Sequence, residues 1–349
     1  MLELANQSSW AAGLYPGWGK NREFQFTLVV KQSFEFDLTG QLTPLDEPVP
    51  VQTIDEHYGE PLKTSLKAAN EIAPFKQGGE IIIQGTAYPH KAGATASPVS
   101  VEITGDNIHW KKKLVVSGIR HWKRSLMGMK AAEPTVLEPT PMIYENAYGG
   151  VHPENEEDYQ QSNPVGKGHI GKNKSIVGTE LPPIELINSF IKSPKDTPLV
   201  AGFGPIPVFW APRDILGQDI DEQAAQIGEC HYGQTIPENL FNSAPKDQQF
   251  EQCFTGNEII ILNGLFESVT TAVSIRLNFE TPDIILLETD EEEYLTPLLD
   301  TIVINTDEQQ LHCVWRSALA HERSDTEISW VYVRDELTNQ QLEHEMQRT

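Results

Sequence analysis

The stretch FQFTLVVKQSFEF, which runs from Phe24 to Phe36, decides the fold class of this chain. Its side chains alternate in character, and a period of two residues is typical of a β-strand rather than a helix. One parity is apolar and is expected to point into a core: Phe24, Phe26, Leu28, Val30, Phe34 and Phe36. The other parity is largely polar and is expected to face water: Gln25, Thr27, Lys31, Ser33 and Glu35.

Other segments repeat this strand pattern. Residues 99–103 alternate, Gly105-Asp106-Asn107 signals a turn, and residues 108–116 return, which together predict a hairpin. Similar apolar runs follow at 81–83, 258–262, 273–279, 284–287, 301–305, 311–316 and 328–333. The sequence therefore predicts a mainly β protein with antiparallel sheets, sandwich or barrel-like, long ordered loops and few short helices.

The domain organisation follows from the absence of breaks in composition. No linker-like segment and no internal repeat divides the chain, so we expect a single domain over residues 1–349. The polar segment 335–349 is expected to form a C-terminal helix or a tail.

The stretch from Pro141 to Gly168 carries the densest loop chemistry. It begins PMIYENAYGG and ends NPVGKG, so a double glycine and an Asn-Pro step punctuate it. Two compatible interpretations stay open: a structural loop over the β core, or a binding surface on a rigid scaffold. We expect Tyr144 and Tyr148 to be buried, with at least one hydroxyl hydrogen-bonded, and Gly149 or Gly150 to have a positive φ.

A second loop region lies between Pro182 and Pro212. Prolines recur there together with Gly202-Phe203-Gly204 and Trp210, and this density excludes a central strand. The region is expected to be ordered but irregular. In contrast, the three consecutive lysines Lys111 to Lys113 are interpreted as an exposed or edge face of a strand.

Charge limits the classes of partner. The chain has 50 acidic and 26 basic residues, a formal charge of −24. Such a chain does not suit a nucleic-acid backbone or an anionic membrane surface, so neither is expected as a partner. It suits a basic partner, although surface charge also serves solubility.

Cysteine usage and the N-terminus indicate the compartment. Cys230, Cys253 and Cys313 are odd in number and far apart, which favours free thiols in a reducing environment. Residues 1–18 show no signal-peptide pattern, and no apolar run reaches the length of a membrane helix. We therefore expect a cytoplasmic protein.

Motifs of catalysis and metal binding do not emerge from the sequence. His321-Glu322 and His344-Glu345 lack the second histidine of a zinc-protease helix, and Cys230-His231 lacks a second ligand pair. There is no nucleophile elbow and no phosphate-binding glycine loop. No catalytic residue, metal or cofactor is predicted. A glycosidase-like carboxylate pair cannot be picked from 50 acids, so that chemistry stays open.

A series of short motifs along most of the chain resembles a bacterial family catalogued as domain of unknown function 2169. Each motif is weak alone, and their number and order make the combination specific. They are Val30-Lys31, residues 74–76, 85–88, 116–120, Trp122, 144–150, 163–168, 181–185, 201–205, Trp210, Arg213, 242–248, 256–258, 300–301, 306–307 and 315–316. Ser117, in the 116–120 motif, stands where an acidic residue is expected.

The resemblance implies a role in type VI secretion. Members of that family look like adaptors or chaperones that hold a toxin effector in the producing cell and hand it to the spike of VgrG and PAAR-repeat proteins. The implied partners are a cognate secreted effector, for which a basic charge and a PAAR repeat are two options, and the VgrG/PAAR spike. The family supplies no residue roles.

Two other functions remain as alternatives. One is a hydrolytic, carbohydrate-acting enzyme on a β scaffold, which should show a deep pocket with convergent polar groups. The other is a structural spike component, which should carry repeats. An adaptor should instead show a broad groove or an exposed apolar patch.

The candidate partner-binding residues lie in the two loop regions. Tyr, Trp and Arg most often dominate binding energy, and the loops concentrate them beside polar and Gly/Pro residues. For Trp210 and Arg213, packing in the core is the competing interpretation. The candidates are Tyr144, Glu145, Tyr148, Asn163, Lys167, Phe203, Trp210 and Arg213.

Overall fold

The structure is a computed structural model. It describes residues 2–126, 128–152, 154–171, 176–218, 221–227, 229–230, 236–267, 271–288, 291–319 and 329–346. The predicted features at His231, His321-Glu322, Ile328 and 347–349 lie outside these described residues.

Short strands make up most of the regular structure. In chain order they are β1 (Leu2–Asn6), β2 (Ala11–Trp18), β3 (Phe24–Phe36), β4 (Leu42–Pro44), β5 (Glu56–His57), β6 (Leu66–Ala68), β7 (Glu80–Gln84), β8 (Thr86–Ala87), β9 (Ala96–Thr104), β10 (His109–Ser117), β11 (Arg120–Ser125), β12 (Gly128–Ala131), β13 (Thr140–Pro141), β14 (Tyr148–Gly149), β15 (Val151–His152), β16 (Asn155–Tyr159), β17 (Lys167–Gly168), β18 (Glu180–Leu181), β19 (Ile184–Leu186), β20 (Ile259–Asn263), β21 (Val273–Arg276), β22 (Asp283–Glu288), β23 (Glu291–Leu295), β24 (Leu298–Asn305), β25 (Gln310–Leu319) and β26 (Ser329–Arg334).

Helices are few. They are α1 (Glu222–Gln226), α2 (Glu336–Met346) and two single 3-10 turns, Tyr144–Asn146 and Lys246–Gln248. The C-terminal segment is thus a helix over its described part. No helix among the described residues has the length and apolar character needed to span a membrane.

A six-stranded sheet is built around β3, as the alternation predicts. Its order is β2-β3-β25-β24-β7, with β4 added on β3. The pairs are antiparallel except β24 with β7, which is parallel. Because β3 pairs along its length with β2 and β25, its register is fixed on both sides, with Val30 opposite Ala12 and Trp315.

The predicted hairpin is confirmed as β9 and β10, the centre of a five-stranded sheet of order β19-β10-β9-β20-β21. Apolar side chains of both large sheets share one hydrophobic core, to which β3 contributes Leu28 and β9 contributes Val101. A four-stranded sheet, β1-β26-β22-β23, and smaller ribbons complete the described chain. The fold is mainly β and mostly antiparallel, and no sheet in the described residues closes into a barrel.

The polar face of β3 corrects one expectation. Leu28, Val30 and Phe36 are buried as predicted, while Phe24, Phe26 and Phe34 are half-buried. The opposite parity does not face water: Lys31 is buried, and only Glu35 is exposed there. The reason is a covering segment, residues 48–76, which lies over this face and supplies polar partners.

Polar contacts fix this covering segment to the sheet. Lys31 pairs with Glu71 at 2.9 Å, and Gln25 donates from its side-chain amide to the Pro74 carbonyl at 2.7 Å. A buried polar group is tolerated when it is hydrogen-bonded. The alternation of β3 therefore marks two chemically different faces, and both are covered.

Candidate functional site

The two predicted loop regions meet at Tyr144 and Trp210. The Tyr144 hydroxyl donates a hydrogen bond to the Gly204 carbonyl at 2.9 Å, and burial raises the pKa of this phenol. Its ring packs edge-on against the Trp210 ring, with centroids 5.7 Å apart. The Ala211 amide adds a bond to the Gln161 carbonyl at 3.0 Å. The regions thus form one packed unit.

Asn163 fixes the path of the central stretch. Its side chain is fully buried, and its Nδ2 donates to the carbonyl oxygens of Tyr144 at 2.8 Å and Tyr148 at 3.0 Å. Gly149 and Gly150 have φ of 155° and 101°, as the sequence predicts. Both tyrosines are buried, so the expectations for this stretch are confirmed.

Phe203 covers the outer edge of the six-stranded sheet. Its carbonyl accepts from the Ile83 amide of β7 at 3.2 Å and from Gln248 Nε2 at 2.9 Å. Covering an edge strand in this way satisfies groups that would otherwise be open to another chain. The loop that carries Phe203 is therefore part of the scaffold.

Lys112 corrects the interpretation of the lysine run. Lys111 and Lys113 are exposed, whereas the Lys112 side chain is buried, with its Nζ 5.5 Å from the centroid of Phe203. It donates to Asp247 Oδ1 and to Gln248 Oε1, each at 2.8 Å. Burial lowers the pKa of this amine, and Asp247 opposes that shift.

The three charged candidates are already engaged within the chain. Glu145 accepts from the Ser65 amide at 2.8 Å and hydroxyl at 2.6 Å, and Lys167 pairs with Glu180 at 2.7 Å. Arg213 donates to the carbonyls of Ile206 and, at 3.1 Å, Leu240, and burial lowers the pKa of its guanidinium. All three are half-buried and hold loops in place.

A groove of about 500 Å³ lies where these loops meet, and we call it the loop groove. Its walls are mainly apolar, and the buried Lys112 and the exposed Asp247 contribute its charged groups together with Lys246. Its volume falls within the range of about 300–1,000 Å³ typical of ligand pockets. It is lined by Lys112, Tyr144, Gln160, Ser162, Leu186, Thr197, Pro198, Leu199, Val200, Ile206, Ala211, Pro212, Pro245, Lys246 and Asp247.

One wall of the loop groove has a free backbone. Residues 197–200, which line the groove, are exposed or half-buried, belong to no helix or strand and make no backbone–backbone hydrogen bond within the described part of the chain. Leu199 is 72% exposed within this run. Unpaired N–H and C=O groups beside apolar walls are suited to pairing with an added peptide segment.

An acidic strand directly precedes another lining residue of the groove. Strand β16 is followed directly by Gln160, which lines the groove. Glu154, Glu156 and Glu157 are exposed along and beside this strand. The lining itself carries Lys112 and Lys246 against Asp247, so the acidic groups that adjoin it in sequence are those of β16.

The eight predicted residues shape the loop groove more than they line it. Five are buried, three are half-buried, and of all eight only Tyr144 contributes to its surface. Sequence reasoning missed the lining residues Leu199, Ile206 and Asp247. The signal for Asp247 was present, because the 242–248 segment is one of the family-like motifs.

A second, polar cavity of about 190 Å³ lies between the covering segment and the polar face of the six-stranded sheet. Lys31 with Glu71 and Lys76 with Glu80 form buried ion pairs along it. Desolvation opposes ionisation of Glu80, but the Lys76 charge and several hydrogen bonds leave its pKa lowered. The chain thus has both an apolar groove and a polar cavity, in different places.

The His, Cys, Asp and Glu side chains of the described ranges do not converge on a metal site. No group of three or more His, Cys, Asp or Glu side chains there is placed to hold a metal ion. The three cysteines are free; Cys230 and Cys313 are buried and Cys253 is half-buried.

Comparison with known proteins assigns the family. The family described as "Uncharacterized protein conserved in bacteria (DUF2169)" matches residues 21–316, and the chain belongs to it. The match covers the five-stranded sheet, both loop regions, and the six-stranded sheet except for β2 and the last residues of β25. Comparison with curated proteins and with solved structures gives no significant match.

Proposed function

We propose that this protein is a cytoplasmic chaperone or adaptor for an effector of the type VI secretion system. It binds the cognate toxin before export and promotes its loading onto the VgrG/PAAR spike. The proposal rests on the family resemblance for the pathway and on the loop groove for the mode of binding.

The loop groove is the observation that carries the binding role. Apolar side chains such as Leu199 and Ile206 lie open to a partner there, and burying them releases about 25 cal/mol per Å² of apolar area. The tight packing of Tyr144 against Trp210 holds the walls in place before binding. A preformed groove costs less ordering entropy than a flexible one.

The free backbone of residues 197–200 favours an extended segment of the effector as the occupant. Such a segment would add backbone hydrogen bonds along this wall and place alternate side chains in the groove. Basic residues at one end of the segment would reach the exposed glutamates beside β16. The overall charge of −24 would speed the encounter with a basic toxin.

Co-expression of the effector encoded beside this protein tests the role. Effector solubility and secretion are measured with wild-type protein, without it, and with Leu199→Glu, which places a charge in the groove. The matched control is Leu337→Glu on α2, because Leu337 is 69% exposed against 72% for Leu199. Helix α2 contacts Gln7 and Asp283, away from the groove residues.

The outcomes separate function from placement. We expect soluble, secreted effector with wild type and Leu337→Glu, and loss of both with Leu199→Glu. An effector that is equally soluble and equally secreted without this protein rules out the chaperone role. If the effector needs the protein but is unaffected by Leu199→Glu, the chaperone role stands and the loop groove is excluded as the binding surface.

A further inference from the structure

Side chains of the six-stranded sheet form the base of the polar cavity under the covering segment. Register places His312, Val303 and Ile82 side by side in one row across β25, β24 and β7, and all three line the cavity. At about 190 Å³ it is much larger than the space for one water molecule and smaller than a drug-sized pocket of about 300 Å³ or more. The space fits a small metabolite.

Most charged side chains around the cavity are paired with a side chain of opposite charge. Three ion pairs line the cavity: Lys31 with Glu71, Lys76 with Glu80, and Lys67 with Glu56, whose Nζ–Oε1 distance is 2.8 Å. Burial, helped by the nearby Lys31 cation, lowers the pKa of His312 to about 4, so its imidazole is neutral at pH 7. Paired charges leave little field for an ionic ligand, and the remaining acid, Glu308, is exposed at the mouth.

Neutral polar groups, in contrast, have spare hydrogen-bonding capacity. Asn70 Oδ1 accepts one backbone amide, Asn305 Oδ1 accepts two, and Gln84 Nε2 donates to the Lys67 carbonyl. The other end of each of these amides, the Gln310 amide and His312 Nε2 make no hydrogen bond in the described chain. Amides and a neutral imidazole offer both donors and acceptors.

We propose that this cavity binds an uncharged polyhydroxyl compound of monosaccharide size. Hydroxyl groups donate and accept at the same atom, which matches the free ends of Asn70, Gln84 and Gln310. Ile82, Val303 and Pro205 supply an apolar wall for the C–H face of a sugar ring. The site is separate from the loop groove and does not depend on the proposed export role.

Saturation-transfer NMR and calorimetry on the full chain test this site. The probes are glucose, galactose and mannose, with gluconate and glucosamine as charged analogues. Gln310→Leu removes one amide, and Val303→Phe fills the cavity. Val136→Phe is the matched control, because Val136 is 51% exposed outside the cavity. Thermal denaturation identifies the variants that remain folded.

We expect at least one neutral sugar to bind wild type and Val136→Phe equally. Gln310→Leu should weaken that affinity about threefold to tenfold, the effect of one neutral hydrogen bond. Folded Val303→Phe should abolish binding. Absence of binding by all neutral sugars, stronger binding of a charged analogue, or binding unchanged in Gln310→Leu would each overturn the proposal.

Discussion

Tyr144 packs edge-on against Trp210, with ring planes at 80° and both side chains at least 95% buried. The two residues come from separate loop regions of the sequence. Their contact, which is supported by the Tyr144–Gly204 hydrogen bond, joins the loops into one wall-forming unit. The shape of the loop groove therefore depends on core-like packing, and stability and binding are expected to be coupled there.

Tyr144→Phe tests that hydrogen bond. The variant keeps the ring but leaves the buried Gly204 carbonyl without its donor, so the free energy of unfolding should fall by about 1–3 kcal/mol. Tyr148→Phe is the matched control, because the Tyr148 hydroxyl makes no hydrogen bond in the described residues. Urea denaturation measures both. Equal losses in the two variants would show that the hydroxyl contact of Tyr144 has no special role.

Gly150→Ala tests the backbone of the central stretch. Gly150 has φ of 101°, and a Cβ there would lie 2.5 Å from the Gly166 carbonyl oxygen. Strain and the clash together should lower the free energy of unfolding by more than about 2 kcal/mol. Gly93→Ala, with φ of 72° and open space around it, should lose only about 1 kcal/mol. An unchanged melting temperature for Gly150→Ala would contradict this account of the loop.

Phe26→Ala tests how much the half-buried apolar positions of β3 contribute to the free energy of unfolding. A fully buried Phe would cost about 3–5 kcal/mol on truncation, but Phe26 is half-buried, so we expect about 1–3 kcal/mol. Leu28→Ala, at a fully buried position, should cost about 2–5 kcal/mol. Guanidinium denaturation gives both values. A larger loss for Phe26→Ala than for Leu28→Ala would argue against the packing described here.

His312 predicts a pH dependence of stability. Its pKa is lowered from 6.5 to about 4 by burial and by Lys31, so the unfolded chain binds more protons between these values. Stability from this group is complete above pH 6.5 and falls by about 3 kcal/mol as pH drops towards 4. In denaturation series across that window, His312→Gln should show a shallower slope than wild type. Identical slopes would contradict the shift.

The sequence predicted the strands and turns better than the tertiary contacts that surround them. Alternation in residues 24–36 and the turn at Gly105-Asp106-Asn107 are local signals, and β3 and the β9–β10 hairpin follow them. The sequence did not predict that the polar face of β3 is covered. The cover comes from residues 48–76, which lie outside the strand, and the alternation within β3 gives no information about them. Buried pairs such as Lys31–Glu71 depend on contacts that no periodicity encodes.

The candidate site shows the same division. Aromatic and glycine chemistry correctly predicted the burial of Tyr144 and the positive φ of Gly150, because both are local conformational needs. Which side chains remain open to a partner was not predictable, since that depends on how the loops pack. Leu199 and Ile206 line the groove together with Tyr144, which comes from the other loop region, and this arrangement depends on tertiary packing.

The most direct test of the central claim is the affinity of the purified protein for its cognate effector, measured by calorimetry. We compare wild type with the folded variants Leu199→Glu and Leu337→Glu. Burying a charge in the apolar groove should weaken binding by at least about tenfold, or about 1.4 kcal/mol, while the α2 variant binds like wild type. Equal affinities for all three proteins would contradict binding in the loop groove.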